Sequence, residues 1–268
     1  MTYFFDSFES FKKHAEGKKI FIFLDYDGTL TPIVSSPDKA VFPLKTKALL
    51  NSVSGIPGVK VAVISGRALS DLKSKVGIKN IIYAGNHGLE IQGPKIKFTS
   101  FLPVQYQKAL VPLRNSLAKK LEGIKGVIIE DKVLTISVHY RMVEPRNVPL
   151  VKTIFHEAAI LYVVKGLVTI HQGKKTLEIR PSFNWDKGKI VLWLLAREQF
   201  LNSGDTVIPV YIGDDTTDED AFRVLRKEGF TIFVGKPAKT LAEYYLKDPG
   251  DVNVFLDRVI RMSGKERP

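Results

Sequence analysis

Short apolar runs alternate with longer amphipathic stretches along most of this chain. The runs at 20–24, 59–64, 80–84, 207–212 and 230–234 each end in glycine or polar residues. Apolar runs of that length, without polar alternation, predict strands buried on both faces. Between them the spacing predicts helices at 44–53, 69–76, 187–200 and 219–227. Strands alternating with helices predict an α/β fold, a mostly parallel sheet covered by helices.

The middle of the chain breaks this rhythm. From about Val104 to Pro181 the pattern predicts a helix (104–121), two strands (127–129 and 133–140), a second helix (149–162) and two more strands (167–171 and 176–179). Gly123, Gly126, Pro145, Gly166 and Gly173 punctuate the stretch. This is an α+β unit, 104–181, inserted into an α/β core made of 1–103 and 182–268, with hinges expected at 98–103 and 180–184. Such an insertion suggests a lid over a site on the sheet.

Composition narrows the class. With 268 residues, 44% hydrophobic and 25% charged, the chain reads as an ordinary globular protein. No uninterrupted apolar run approaches the roughly 20 residues that span a bilayer. Asp6, Glu9 and Glu16 interrupt the N-terminus, so no secretory leader is expected. The absence of cysteine excludes disulfides and thiolate metal sites. Together these features predict a cytoplasmic protein without a membrane partner. The net charge of +12 comes from Lys and Arg scattered in runs no longer than two. That distribution suits a solvated surface that attracts phosphorylated small molecules, not a nucleic-acid interface.

Four segments carry candidate chemistry, three of them directly after predicted strands, where an open parallel sheet presents its ligands. In Asp25-Tyr26-Asp27-Gly28-Thr29, residues i and i+2 of an extended segment point the same way, so two carboxylates converge. Facing carboxylates call for a cation or for protonation of one of them. One could then attack phosphorus while the other carries a proton; the bland reading is an aspartate capping a turn. Ser65-Gly66-Arg67 pairs a small hydroxyl with backbone N–H groups at a helix start, which makes either a phosphate cradle or a plain turn. Lys187, in Trp185-Asp186-Lys187-Gly188, sits at a helix start, where the helix dipole disfavours a cation. A phosphate opposite would reconcile the two, as would simple solvation of the lysine. Asp214-Asp215-Thr216-Thr217-Asp218-Glu219-Asp220 places five acids within seven residues. Oxygen ligands of this kind suit Mg²⁺, while Glu219 and Asp220 also suit the start of the following helix.

In this order, the segments resemble the haloacid-dehalogenase-like phosphatases. The stretches beginning at Phe23 (FLDYDGTLTPIV), Tyr83 (YAGNHG), Ser137 (SVHYR), Leu177 (LEIRP), Trp185 (WDKG) and Gly213 (GDDTTDEDAF), with the late YLKDP at Tyr245, are similar to the trehalose-6-phosphate phosphatases from about Ile20 to Ile260. Asn86 departs from the serine of many plant members but keeps a hydrogen-bonding side chain. The resemblance implies a Rossmann-like core, an inserted cap that sets substrate specificity, and a free-standing phosphatase with no synthase domain ahead of it. It implies Mg²⁺ as cofactor and a small phosphosugar as partner, with the enzyme expected to act as a monomer. Asp25 would be the nucleophile and Asp27 the general acid and then base, and Ser65, Gly66 and Lys187 would bind the phosphoryl group. Asp25, Asp27 (through its carbonyl), Asp214 and Asp218 would surround the metal; Asp215 has no assigned part. Asn86, His87, His139, Arg141, Glu178 and Arg180 would meet the substrate, with His87 alternatively a buttress of its loop. On 176–181, Glu178 and Arg180 share one face opposite Leu177 and Ile179. That face could read the sugar or could be solvated with a cross-strand ion pair. The alternatives are a phosphatase of glucosylglycerol phosphate, mannosylglycerate phosphate or sucrose phosphate, or a non-catalytic phosphosugar-binding protein.

Overall fold

The structure is a computed structural model; it describes residues 1–34, 40–182, 185–201, 206–236 and 239–264. The chain divides into two compact units, one formed by Met1–Ile33, Ala40–Phe98 and Trp185–Pro268, the other by Val34–Lys39 and Thr99–Asn184. Phe183 and Asn184, the end of the second expected hinge, lie outside the described residues.

The first unit is an α/β sheet. Its strands are β1 (Thr2–Tyr3), β2 (Lys19–Asp25), β3 (Val59–Ile64), β4 (Ile82–Gly85), β5 (Glu90–Gly93), β6 (Ile96–Thr99), β11 (Val207–Gly213), β12 (Phe230–Val234) and β13 (Tyr244–Leu246). Among the described residues they order as β1-β13-β12-β11-β2-β3-β4-β5-β6. Pairing is parallel from β1 through β4, and β5 adds antiparallel to β4. The helices are α1 (Phe8–Ala15), α2 (Leu44–Ser54), α3 (Leu69–Val76), α6 (Lys187–Leu201), α7 (Glu219–Leu225) and α8 (Pro249–Met262). β2 lies between β11 and β3, with Leu24 beside Ile212 and Asp25 beside Ile64. That register brings the carboxyl ends of three strands to one edge. One core cluster of this unit packs Phe21, Phe23, Ile64, Ile190, Leu194, Tyr211 and Phe222.

The second unit holds α4 (Val104–Leu121), β7 (Ile128–Asp131), β8 (Ile136–His139), α5 (Val148–Val164), β9 (Val168–Gly173) and β10 (Thr176–Pro181). Its four strands order as β7-β8-β10-β9, all antiparallel. Its core draws Leu113, Leu117, Ile136, Val138, Phe155, Leu177 and Ile179 from both layers. The expected strand at 133–140 starts late, because Val133 lies in the left-handed region (φ 69°) at the β7–β8 turn. Asp131 Oδ1 stabilises that turn by accepting from Val133 N at 2.9 Å. Pro145–Val164 is, by length and composition alone, apolar enough to cross a membrane (mean hydropathy 1.2), although Arg146, Lys152 and Glu157 interrupt its apolar residues. Here Val151, Phe155, Ala158 and Ala159 turn one face of the helix into the core, while Leu150, Ile160, Leu161 and Val164 stay exposed.

Six elements were not anticipated: β1, α1, β5, β6, β13 and α8. α8 carried a readable start signal. Asp248 precedes Pro249, and its Oδ1 accepts from Gly250 N (2.7 Å) and Asp251 N (3.1 Å), an N-cap followed by proline at the first helical position. Asp248→Ala should therefore lower stability by about 1 kcal/mol, read as a reduced denaturation midpoint at an unchanged slope.

Candidate active site

Parallel strands deliver their acids to one place. Asp25 ends β2, Ser65 follows β3, Asp214 follows β11, and Lys187 opens α6. Asp25, Lys187, Asp214 and Asp218 are all at most 5% exposed. Lys187 Nζ donates to Asp25 Oδ1 at 2.6 Å and to Asp218 Oδ1 at 2.7 Å. The sequence left open a solvated lysine, and its burial removes that option. Burial alone would lower the pKa of this ammonium, but the charges of Asp218 and Asp25 outweigh it and raise the value. Burial likewise pushes the Asp25 carboxyl well above its usual range, opposed by Lys187 and reinforced by Asp218 and Asp214.

Asp218 is surrounded by donors. Its Oδ1 accepts from Lys187 and from the Tyr211 hydroxyl (2.6 Å), and its Oδ2 accepts from the backbone N–H groups of Asp214 (3.0 Å) and Asp215 (2.9 Å). Burial and Asp218 together raise the Tyr211 phenol well above its ordinary pKa, so it remains a donor. Two close approaches shape the site. A Cβ at Gly213 would lie 2.3 Å from Asp218 Cγ, and one at Gly28 (φ +95°) would lie 2.1 Å from Asp214 Oδ2. Neither position tolerates a side chain without moving an acid.

Asp25, Asp214 and Asp218 each offer an oxygen within 4.8 Å of the others. With all four side chains ionised, three carboxylates and one ammonium leave an excess of two negative charges. An all-oxygen set with that excess fits a hard divalent cation. Asp215, by contrast, turns to its own loop: its Oδ1 accepts from Thr216 N (2.5 Å) and Thr216 Oγ1 (3.0 Å). Glu219 binds Thr240 Oγ1 (2.5 Å) and Leu241 N (2.8 Å), and Asp220 pairs with Arg223 (2.9 Å).

Asp27 is more open, its side chain 43% exposed. Arg67 grips it in a fork, Nε to Oδ2 at 2.8 Å and Nη2 to Oδ1 at 2.7 Å, and also reaches Asp71 at 2.8 Å. Ser65 Oγ accepts from Arg67 N at 3.1 Å, which shapes the turn through Gly66. Asn86 and His87 both adopt left-handed backbone (φ 49° and 53°). Their N–H groups donate to Arg67 O (2.7 Å) and Ser65 O (2.9 Å), so they brace that same turn. Asn86 Nδ2 donates to Glu90 at 2.9 Å. Trp185 donates to Gly88 O at 3.0 Å and packs with Trp193 around Phe98.

In the second unit, Glu178 is only 5% exposed, which excludes a solvated face. Its Oε1 accepts from Lys132 Nζ (2.9 Å), Thr135 Oγ1 (3.2 Å) and Ser137 Oγ (3.2 Å), and its Oε2 from Arg180 Nε (2.8 Å). His139 pairs with Glu130 at 2.8 Å and meets Thr176 Oγ1 at 3.1 Å. Arg141 donates to Lys174 O at 2.8 Å. Sequence reading missed three contributors. Lys132 falls between two expected strands and was given no part, Arg67 was not tied to Asp27, and Tyr211 was absorbed into an apolar run. A phenol in a fully buried strand was the available signal for the last, since such a hydroxyl needs a partner.

Comparison with known proteins identifies the family. The family described as trehalose-phosphatase matches residues 23–249. Trehalose-phosphate phosphatase B of Arabidopsis thaliana is 38% identical over 270 residues, covering 96% of this chain and 71% of its own. Probable trehalose-phosphate phosphatase C of the same plant is 38% identical, covering 96% and 81%. Among solved structures, the C. albicans trehalose-6-phosphate phosphatase C-terminal domain superposes with TM-score 0.79 at 26% identity, covering 94% of this chain and 95% of that one. With a lysine bridging two buried aspartates where the sheet's strands end, and with these relatives over nearly its whole length, the chain belongs to the trehalose-phosphatase family and is a phosphatase of the haloacid-dehalogenase-like fold.

Proposed function

We propose that this enzyme hydrolyses trehalose 6-phosphate to trehalose and phosphate through an aspartyl-phosphate formed on Asp25, acting as a cytoplasmic monomer. The observation that carries the reading is the contact of Lys187 with Asp25 beside Asp214 and Asp218, in a chain of this family. Phosphate monoesters hydrolyse extremely slowly without catalysis. Their transition state spreads charge over the equatorial oxygens, so positioning and cations carry most of the work.

Each residue then has a task. An Asp25 carboxylate oxygen attacks phosphorus, and the bond from phosphorus to the sugar oxygen breaks. Asp27, with one of its oxygens released from the Arg67 fork and protonated, gives that proton to the sugar oxygen, and its exposure lets it reach the leaving group. Arg67 keeps Asp27 in position. Lys187 and Ser65, with the N–H of Gly66, hold the transferring oxygens. Asp27 next takes a proton from water, which attacks phosphorus of the acyl phosphate and releases phosphate with Asp25 restored. Asp25, the Asp27 carbonyl and Asp214 would hold Mg²⁺, with Asp218 orienting that set, and the ion when bound neutralises charge on the phosphoryl oxygens. Glu178 and Arg180 would hold the sugar, assisted by His139 and Arg141, while Asn86 and His87 act through the loop they brace.

Chelation should abolish phosphate release and Mg²⁺ should restore it, and calorimetric Mg²⁺ binding should disappear in Asp214→Ala. Full turnover in metal-free buffer would remove the metal from the mechanism. Asp25→Asn should cut turnover by at least about a thousandfold; retained turnover would mean that water attacks phosphorus directly.

Sugar recognition is best tested at Arg180, because truncating Glu178 would also take a partner from the buried Lys132. Arg180→Ala should lower kcat/KM for trehalose 6-phosphate roughly ten- to a hundredfold. Hydrolysis of a small aryl phosphate, which leaves the sugar contacts unused, should change little. Equal loss on both substrates would return Arg180 to a structural part. A panel that includes glucosylglycerol phosphate, mannosylglycerate phosphate and sucrose phosphate decides the sugar.

A further inference from the structure

Tyr211 is a buried polar residue that the mechanism above leaves unused. It lies on β11 three residues before Asp214, fully buried, with its ring edge-on to Phe222 at 5.6 Å. A phenylalanine there would fill the same core volume, and a buried hydroxyl costs stability unless it is bonded. The hydroxyl's partner is the Asp218 Oδ1 that also receives Lys187, the two donors lying at 2.6 and 2.7 Å. The Asp214 and Asp215 N–H groups hold Oδ2. A carboxylate has about four acceptor positions, so these donors fix both the rotation of Asp218 and the share of its charge that each partner receives. Lys187 has three N–H bonds. One meets Asp25 and one meets Asp218, and the third can serve a phosphoryl oxygen.

We propose that Tyr211 is a positioning residue for phosphoryl transfer, its hydroxyl holding Asp218 Oδ1 so that Lys187 stays balanced between Asp218 and Asp25. The inference rests on the roles assigned above to Asp25 and Lys187. Without the hydroxyl, Oδ1 keeps one donor, and its undivided charge draws Lys187 away from Asp25 and from the transferring group. The loss belongs to the transition state, where charge on the phosphoryl oxygens is greatest. It therefore falls on kcat and not on KM.

The experiment is a double-mutant cycle on aryl phosphate and trehalose 6-phosphate with Tyr211→Phe, Asp218→Asn and the pair, alongside Phe222→Leu. Tyr211→Phe should lower kcat roughly ten- to a hundredfold, the usual range for a lost hydrogen bond to a charged group. KM should be unchanged and the loss equal on both substrates. In the Asp218→Asn background the same change should add little, because the two act as one unit. Phe222→Leu disturbs the ring's packing but keeps the hydroxyl, so it should lower Tm and spare kcat. Wild-type turnover in Tyr211→Phe, additive losses in the pair, or an equal kcat loss in Phe222→Leu would each overturn the proposal. So would a Tyr211→Phe protein without a cooperative melt, which would assign the hydroxyl to the fold. Lys187→Ala separates the two levels: if it keeps turnover, the reading of the site fails. If it is inactive while Tyr211→Phe is silent, only the role of Tyr211 falls.

Discussion

The rest of the catalytic unit is arranged around one buried ammonium. A lysine with 3% exposure would be costly to keep charged on its own. Asp25 and Asp218 offset that cost at 2.6 and 2.7 Å, and each arrives from a different strand end. The constraint propagates outward. Asp218 can reach Lys187 only because Gly213 carries no Cβ, and Asp214 can sit beside the β2 turn only because Gly28 carries none. The backbone of Asp214 and Asp215 is tied in turn to Asp218 Oδ2. Loop shape and charge placement are therefore a single feature. A carboxylate that orients the loop also orients the acids the loop carries.

The second unit reuses the same physics around a buried acid. Glu178 is satisfied by Lys132, Arg180, Thr135 and Ser137, drawn from β10, β8 and the β7–β8 turn. Such clusters add little net stability compared with apolar packing, yet they are expensive to break one partner at a time. They earn their place through geometry, because both oxygens of the acid are held by donors of fixed position. The two consecutive left-handed residues Asn86 and His87 follow the same logic in backbone form. Their strained conformation is held by bonds to the carbonyls of Ser65 and Arg67, and it shapes the turn next to Asp25.

Much of this was legible in the chain. Continuous apolar runs ending in glycine or polar residues located β2, β3, β11 and β12 to within one residue at either end, because a strand buried on both faces leaves no polar alternation. Lys187 and Asp218 belonged to motifs visible as clusters of charge. The short edge elements were less legible. β1 has two residues and β13 three, too few for any periodicity to register. Val133 and its neighbours read as strand because β-branched residues favour strands, yet the hairpin needed a left-handed position and Asp131 supplied the bond that holds it.

The sequence by itself determined the order of the longer central strands and helices, the interruption of an α/β pattern by an α+β stretch, and which acids end which strands. Each of these depends on neighbours a few residues apart. Only the tertiary structure decided that Lys187 meets Asp25 across 162 positions, that Arg67 holds Asp27 across 40, and that Lys132 meets Glu178 across 46. Those contacts follow from strand order and register, which place β2 between β11 and β3 and β8 beside β10. A run of residues encodes how its own segment buries apolar surface. Which distant segment then lies against it is settled by the packing of the whole sheet, and with it the partner of every buried charge.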